Sequence, residues 1–370
     1  MHAIPKPAGE TPLSTLLEYL FSPDGTLGPF PVPDDYGALP ELPFRTEGLD
    51  KLLNLADTNH VIVRFLQVVL KISQRTGDRH MADWAAARLE SERAIIENKL
   101  SHLQSTCETL QSAGCSVTVI KSLDHWPDLG SDLDLYTGAD PKELVRTMVQ
   151  SLNAEIEPRS WGDKLAGKWN FRVPGLSVPV EIHVRRLGQT GEQVGLGHSV
   201  LIRSMTKTVG ARSFRVPTHT DRLLISTLQR MYRHFYLRLC DVLDTAELLD
   251  ANAVDFSDLQ GSAEASGIWP GLATYLKIVS DYVRKYRGLG LHLPQAVLVA
   301  AQSGGERVRE GGDFLRLPIV PQAAKLYGMQ LADAIGKGDL PATFRLTLLP
   351  CLASAAAVRY KFTGDDKGIW

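Results

Sequence analysis

The sequence predicts an α+β fold, a small mixed sheet flanked by N-terminal and C-terminal helical regions, and three observations carry that expectation. Apolar residues recur at helical spacing up to about residue 113, short alternating or β-branched runs occupy roughly 115–190, and helical spacing returns beyond Pro217. The 370 residues, 44% of them hydrophobic, suffice for two or three domains with cores of their own. Such a chain is neither disordered nor collagen-like. The changes of period divide it into an N-terminal helical region (1–94), an α/β core (95–200) and a C-terminal helical domain (201–370).

Taken in order, the first thirty residues hold no clean apolar run, because Pro, Glu and Asp interrupt each candidate, so no signal peptide is expected. A short helix is expected around Leu16 to Phe21, then an irregular Pro/Gly/Asp-rich segment over 23–48. Val61, Phe65, Leu66, Val69, Leu70 and Ile72 fill one helical face. Leu89, Ile95, Ile96, Leu100, Leu103 and Leu110 fill another, ending where Gly114 supplies a C-cap. Residues 116–121 (SVTVIK), 132–136 (DLDLY), 168–173 (KWNFRV) and 178–184 (VPVEIHV) read as strands. Between them Asp140 caps a helix with Pro141 at its first position, Glu143 completing a capping box and Leu144, Val145, Met148, Val149 and Leu152 as its stripe. Gly162, Gly167 and Gly175 mark a loop. Leu223 to Leu249 form one long amphipathic stretch or two shorter helices in series. Leu346 to Val358, 13 residues with Pro350 inside, is too short for a membrane span of roughly 20 residues and reads as a buried helix.

Charge and cysteine usage set the outer limits on function. A net charge of −2 excludes a uniformly basic binder, but 158–240 carries fourteen Lys and Arg against four acids, a basic segment within an acidic frame. Four cysteines without a CxxC pair point to a reducing cytoplasm, and no histidine pair has the spacing of a zinc site.

The chemistry concentrates in Ile120-Lys121-Ser122 and the Asp132-Leu133-Asp134-Leu135 strand. Alternation puts Asp132, Asp134 and Tyr136 on one face and Leu133 and Leu135 on the other. Two carboxylates side by side repel each other unless a cation lies between them, and hard oxygen ligands suit Mg²⁺ or Mn²⁺. In the later strand Glu181, His183 and Arg185 point away from the core, so Glu181 is expected to complete a site for one or two divalent ions. The turn also carries two further acids, Asp124 and Asp128, which would sit near a phosphate held there.

This pattern resembles the polymerase-beta-like nucleotidyltransferase superfamily: a Gly-Ser or Gly-Gly turn, about ten residues, an Asp-x-Asp strand and a later strand with a third acid. Lys121 replaces the first glycine, and in that respect the chain resembles an uncharacterised bacterial branch in which Lys-Gly precedes Asp-x-Asp-Leu. That branch also has a later helix carrying His and an Arg-Leu run, which Arg233-His234, Arg238-Leu239 and Asp241 to Asp244 resemble. The resemblance covers roughly 95–250. It implies a nucleotidyltransferase core in which Asp132, Asp134 and Glu181 are catalytic and metal-binding, with Glu181 helping to deprotonate the acceptor hydroxyl. Lys121, Ser122, Lys168 and Arg185 would contact the nucleotide. The activity implied is transfer of a nucleoside monophosphate from an NTP, with Mg²⁺ or Mn²⁺, to a hydroxyl on a small molecule, a protein or an RNA end, with release of pyrophosphate. No membrane partner is expected.

Two other readings stand beside it. One is a catalytically silent nucleotide-binding or regulatory protein of the same fold. The other is an Asp-x-Asp glycosyltransferase, which requires a parallel sheet before residue 115 where the sequence is helical. Trp126, Trp161 and Trp169 are candidates to stack on a base, with core packing the simpler role for each. His183 and His234 are candidates for site contacts, against an ordinary strand or helix histidine.

Overall fold

The structure is a computed structural model and describes residues 11–21 and 46–363. Four helices open the chain: α1 (Pro12–Leu20), α2 (Thr46–Thr58), α3 (Ile62–Thr76) and α4 (Arg79–Ser112). Most of the irregular segment expected over 23–48 lies outside the described residues. In α1 the hydroxyl of Thr11 accepts from the Ser14 N–H and Pro12 opens the first turn, as sequence chemistry requires of a helix start. Helix α4 follows the expected spacing, with Leu89, Ile96, Leu100, Leu103, Cys107 and Leu110 buried. Ile95 departs from the expected stripe and is exposed, because Ile96 already occupies the inward position of that turn. Before residue 115 the described residues are helical, without the parallel sheet that the glycosyltransferase reading requires.

The sheet then forms from β1 (Val117–Val119), β2 (Leu133–Thr137), β3 (Glu155–Ile156), β4 (Lys168–Arg172) and β5 (Val180–Val184), in the order β1-β2-β5-β4-β3. It is mixed: β2 and β5 run parallel, and the other neighbours pair antiparallel. Helix α5 (Pro141–Leu152) joins β2 to β3 and packs on α4. Asp140 caps α5 through the Lys142 N–H, but Glu143 bonds Arg146 one turn on and does not close the expected capping box. Val149, expected in the stripe, is exposed. The glycine-rich stretch holds a short helix, α6 (Trp161–Ala166), closed by Ser160 and Asp163 in a reciprocal cap and ended by Gly167 at φ 70°.

Both sheet faces are covered, so β2 and β5 are buried along their whole length. Leu133, Leu135, Val180 and Ile182 fill the core face, whereas Asp134, Tyr136, Glu181 and His183 share the other. Helix α7 (Val194–Ile202) packs close to that second face: Gly197 is so near the Tyr136 hydroxyl that a side chain there would overlap it.

Beyond the sheet lies a hairpin absent from the sequence expectations, β6 (Met205–Val209) and β7 (Arg212–Val216), turning at Gly210 with φ 59°. The amphipathic stretch from Leu223 is two helices in series, α8 (His219–Gln229) and α9 (Leu239–Asp250). They are separated by a π-turn over Arg230–His234, Phe235 in the left-handed region and a short strand, β8 (Tyr236–Leu237). Helices α10 (Phe256–Ala265), α11 (Trp269–Arg287) and α12 (Gln295–Ala300) follow. Strands β9 (Arg309–Gly311) and β10 (Phe314–Arg316) pair with β8 into a second sheet. Helices α13 (Ala324–Gly336) and α14 (Leu340–Thr363) end the described chain. The apolar run from Leu346 lies in α14 and is not a buried helix. Leu346 and Leu352 are buried, but Phe344, Cys351 and Val358 face outward. Among the described residues, no helix is long and apolar enough to cross a membrane.

Candidate functional site

The site begins at the end of β1. Lys121 takes φ 59°, the left-handed conformation in which the resembled motif has glycine, and this turns the chain out of the strand. The turn is tied to β2 by Ser122, whose hydroxyl accepts the Asp134 N–H at 2.7 Å and reaches the Asp132 carbonyl at 3.4 Å. Expected to cradle phosphate, Ser122 is 2% exposed, and its side chain is spent on holding the two aspartates in place.

Asp134 of β2 stands directly opposite Glu181 of β5 in the parallel register. His183 joins them, with Nε2 2.8 Å from Glu181 Oε1 and 3.8 Å from Asp134 Oδ1. These three side chains hold their ligand atoms within 4.8 Å of one another. Asp132 precedes the strand, and its carboxylate is not part of that group. It lines the adjoining cavity, and the neighbouring charge of Asp134, with burial, raises its pKa to about 6. So Asp134 and Glu181 come together as expected, His183 joins them, and Asp132 stands at their rim.

Cations already occupy the space between the acids. The Lys121 ammonium is paired with Asp134 and lies 3.3 Å from Glu181 Oε1. Lys168 lies 2.8 Å from Glu181 Oε2 and 3.0 Å from Asp163 Oδ1. Burial alone would raise the Glu181 pKa, but Lys121, His183 and Lys168 outweigh it and hold this carboxyl well below its usual range. Burial works against the charge on Lys121 too, and Asp134 and Glu181 reverse that, so its pKa rises. Lys168 therefore braces Glu181 from behind and does not line the cavity.

Arg185 is placed away from the site. The strand ends at Val184, Arg185 turns to φ 62°, and its side chain bonds the Gly138 carbonyl at the surface, so the expected alternation stops one residue short of it. Asp124 and Asp128 also point elsewhere. Asp124 pairs with Arg222 at 3.0 Å, and Asp128 accepts the Val63 N–H at 2.6 Å while facing Arg64. Trp126, Trp161 and Trp169 do not line the cavity. Trp161 is exposed, and Trp169 stacks under Arg159 with 4.0 Å between guanidinium and ring centroid.

The cavity is about 160 Å³ and lies between the acids and the π-turn that follows α8. Arg230, Arg233, His234, Tyr236 and Arg238 line its far side. Arg230 is fixed by Asp241 at 2.7 Å, and Asp241 also accepts the Arg238 N–H that opens α9. Tyr236 is held by its stack on Phe314 of β10, 4.2 Å between centroids. His234 is neutral at ordinary pH: burial first, then Arg233, Arg230, Lys121 and Arg238, lower its pKa to about 2. Spacing could not reveal that the π-turn and the start of α9 bring three arginines opposite the acids. The signals for it in the sequence are a broken amphipathic stretch dense in Arg and the likeness of Arg233-His234 and Arg238-Leu239 to the resembled branch. The basic segment is otherwise dispersed, with Arg203 on Asp258, Arg212 on Glu97 and Arg222 on Asp124.

His60 and His125 form a further wall of the cavity. His125 Nδ1 is 2.6 Å from Asp244, and Arg64 is bound to the same carboxylate. Although burial opposes it, Arg64 and His125 hold the Asp244 pKa down to about 2. A larger cavity of about 830 Å³ between α1 and α11 lies apart from these carboxylates.

Neither a scan against protein-family models nor a search of the curated proteins returns a match for this chain.

Proposed function

We propose that the chain is a metal-dependent nucleotidyltransferase, moving a nucleoside monophosphate from an NTP to a hydroxyl acceptor and releasing pyrophosphate. The observation that carries this reading is the in-register pair Asp134 and Glu181 facing Arg230, Arg233 and Arg238 across one small cavity. Carboxylates on one wall and guanidiniums on the other match the two ends of a metal–triphosphate complex. The oxygens of Asp134 and Glu181, with Asp132 at the rim, are the donor set that Mg²⁺ or Mn²⁺ favours, and they would hold it once the Lys121 ammonium withdraws. When bound, the ion would neutralise charge on the phosphates.

The residues of the chain divide the remaining work. Arg233 and Arg238 would bind phosphate oxygens, and Arg230, locked by Asp241, would fix the far end. At about 160 Å³ the cavity falls below the roughly 300–1,000 Å³ of whole-ligand pockets. It suits a phosphate tail, with the nucleoside lying beyond it. Glu181 is a poor proton acceptor because its three cationic or hydrogen-bonding neighbours stabilise the ionised form. Asp132, outside that cluster of cations and on the cavity wall, would be the carboxylate placed to take the proton of an acceptor hydroxyl.

The ion pairs of Lys121 favour a second reading, a silent protein in which the ammonium permanently replaces the metal. Labelled NTPs with Mg²⁺ or Mn²⁺, offered RNA, small hydroxyl compounds and the protein itself, separate the two. The enzyme gives metal-dependent pyrophosphate release that Asp134→Asn abolishes. Absence of release with every NTP and acceptor, or release unchanged in Asp134→Asn, sinks the catalytic reading.

A further inference from the structure

At the part of the cavity wall formed by His60 and His125, three buried side chains from distant parts of the chain converge: His60, between α2 and α3; His125, in the turn after β1; and, behind them, Cys240, in the first turn of α9. We propose that they form a binding site for a zinc-type transition-metal ion, with a fourth coordination position open to the cavity. The proposal does not depend on nucleotidyl transfer.

The geometry is near what a tetrahedral ion needs. One ligand atom from each residue lies within 4.8 Å of the other two, and His125 Nε2 is 3.9 Å from Cys240 Sγ. With Zn–N and Zn–S bonds of about 2.0–2.3 Å, ligand atoms around such an ion stand roughly 3.3–3.6 Å apart, so side-chain rotations of about 1 Å close the set. Two imidazoles and a thiol are soft and borderline donors. They select zinc or cobalt over magnesium, unlike the all-oxygen pair of Asp134 and Glu181.

The supporting contacts have the arrangement of a metal site. His125 turns Nδ1 to Asp244 at 2.6 Å, which leaves Nε2 as the nitrogen facing Cys240. A carboxylate behind a ligating histidine is the usual means of fixing its tautomer and orientation. Cys240 occupies the second position of α9 and turns its Sγ toward His125. His60 is held in the left-handed conformation at φ 54°, a costly one for a residue other than glycine. Its neighbour Asn59 accepts the Leu239 N–H at 3.0 Å through its side chain and the Cys240 N–H at 3.3 Å through its carbonyl, pinning the two segments together. Of the nearby cations, Arg64 is compensated by Asp244 and Asp128 and Arg230 by Asp241, whereas Arg238 Nη1 lies 3.4 Å from His60 Nδ1 and has to turn away for that nitrogen to serve as the ligand. Since His60 and His125 both line the cavity, the open position faces it.

Cobalt(II) titration of the chelator-stripped full chain tests this. One equivalent is expected to give a thiolate-to-cobalt charge-transfer band and the intense visible absorption of four-coordinate cobalt, both displaced by zinc and not by magnesium. Cys240→Ser should abolish the charge-transfer band. His60→Asn, which retains a residue at ease in the left-handed region, should weaken cobalt binding by more than the roughly 10–100-fold that loss of an outer partner costs. Glu181→Gln should leave the spectrum intact. Cobalt bound without the thiolate band, or an unchanged spectrum and affinity in a folded His60→Asn protein, overturns the proposal, as does loss of the spectrum in Glu181→Gln alone.

Discussion

Asp134 and Glu181 stand at the same register position of two parallel strands, and the Lys121 ammonium is paired with both. Two buried carboxylates in that position need positive charge, and the protein supplies it from a backbone turn that itself requires a left-handed residue. Lys121 thus meets a steric and an electrostatic demand that oppose each other: glycine would suit the turn, and lysine suits the acids.

Lys121→Gly separates those demands. It relieves the strained φ but leaves Asp134 and Glu181 with less compensation, and removing one partner of a buried ion pair costs about 3–5 kcal/mol. The variant is expected to melt well below the parent in chelator and to recover on adding Mn²⁺. Its Mn²⁺ affinity should exceed that of the parent by tenfold or more, a difference of about 1.4 kcal/mol. A melting temperature indifferent to Mn²⁺ in the variant would count against a metal between the acids.

Acid stability should depend on His234. Its folded pKa, about 2, lies below its ordinary 6.5, so between these values the unfolded chain binds the extra proton and stability falls as the pH is lowered through 6.5. At pH 5 the loss from this group is about 1–2 kcal/mol. Urea denaturation at pH 7.5 and pH 5 should show a smaller drop for His234→Gln than for the parent. Equal drops would mean that His234 is not kept neutral by burial and the arginines around it.

Much of this was legible because it is local. The Asp-x-Asp alternation, the Asp140 cap and the Glu181 strand follow from period and cap chemistry, and the register then sets Asp134 beside Glu181. What was not legible depends on chain segments meeting. Alternation puts Arg185 on the face of the site, but the strand ends at Val184, and Asp128, expected near phosphate, is claimed by Val63 and Arg64, some 65 positions earlier. The break after α8 arises from tertiary demand, with Arg230 buried against Asp241 and Tyr236 stacked on Phe314 of a distant strand. The β6–β7 hairpin was available in principle, since Gly210 divides two alternating runs.

Gly197→Ala should disturb the site from behind. A Cβ there would overlap the Tyr136 hydroxyl, and Tyr136 shares its sheet face and register position with His183. Overpacking of this kind costs about 1–3 kcal/mol. A lower urea midpoint with unchanged m-value is expected, and adding Tyr136→Phe should recover part of the loss by removing the obstructing oxygen. Equal destabilisation with and without Tyr136→Phe would place the strain elsewhere.

Arg233 separates phosphate binding from structural support. Arg230 is buried against Asp241, so its loss would unsettle α9, whereas Arg233 is only partly buried and lines the cavity opposite the acids. A guanidinium on a phosphate contributes about 1.5–3 kcal/mol as a charge-assisted hydrogen bond, equivalent to roughly 10–100-fold in affinity. Arg233→Ala should therefore weaken NTP binding by about that factor, measured by calorimetry with Mg²⁺ present, while its urea midpoint stays close to that of the parent. The effect should follow the phosphate count, being largest for the triphosphate and smallest for the monophosphate. Equal loss for all three would indicate that Arg233 meets the nucleoside, and no loss for any would remove the arginine wall from the reading of the cavity.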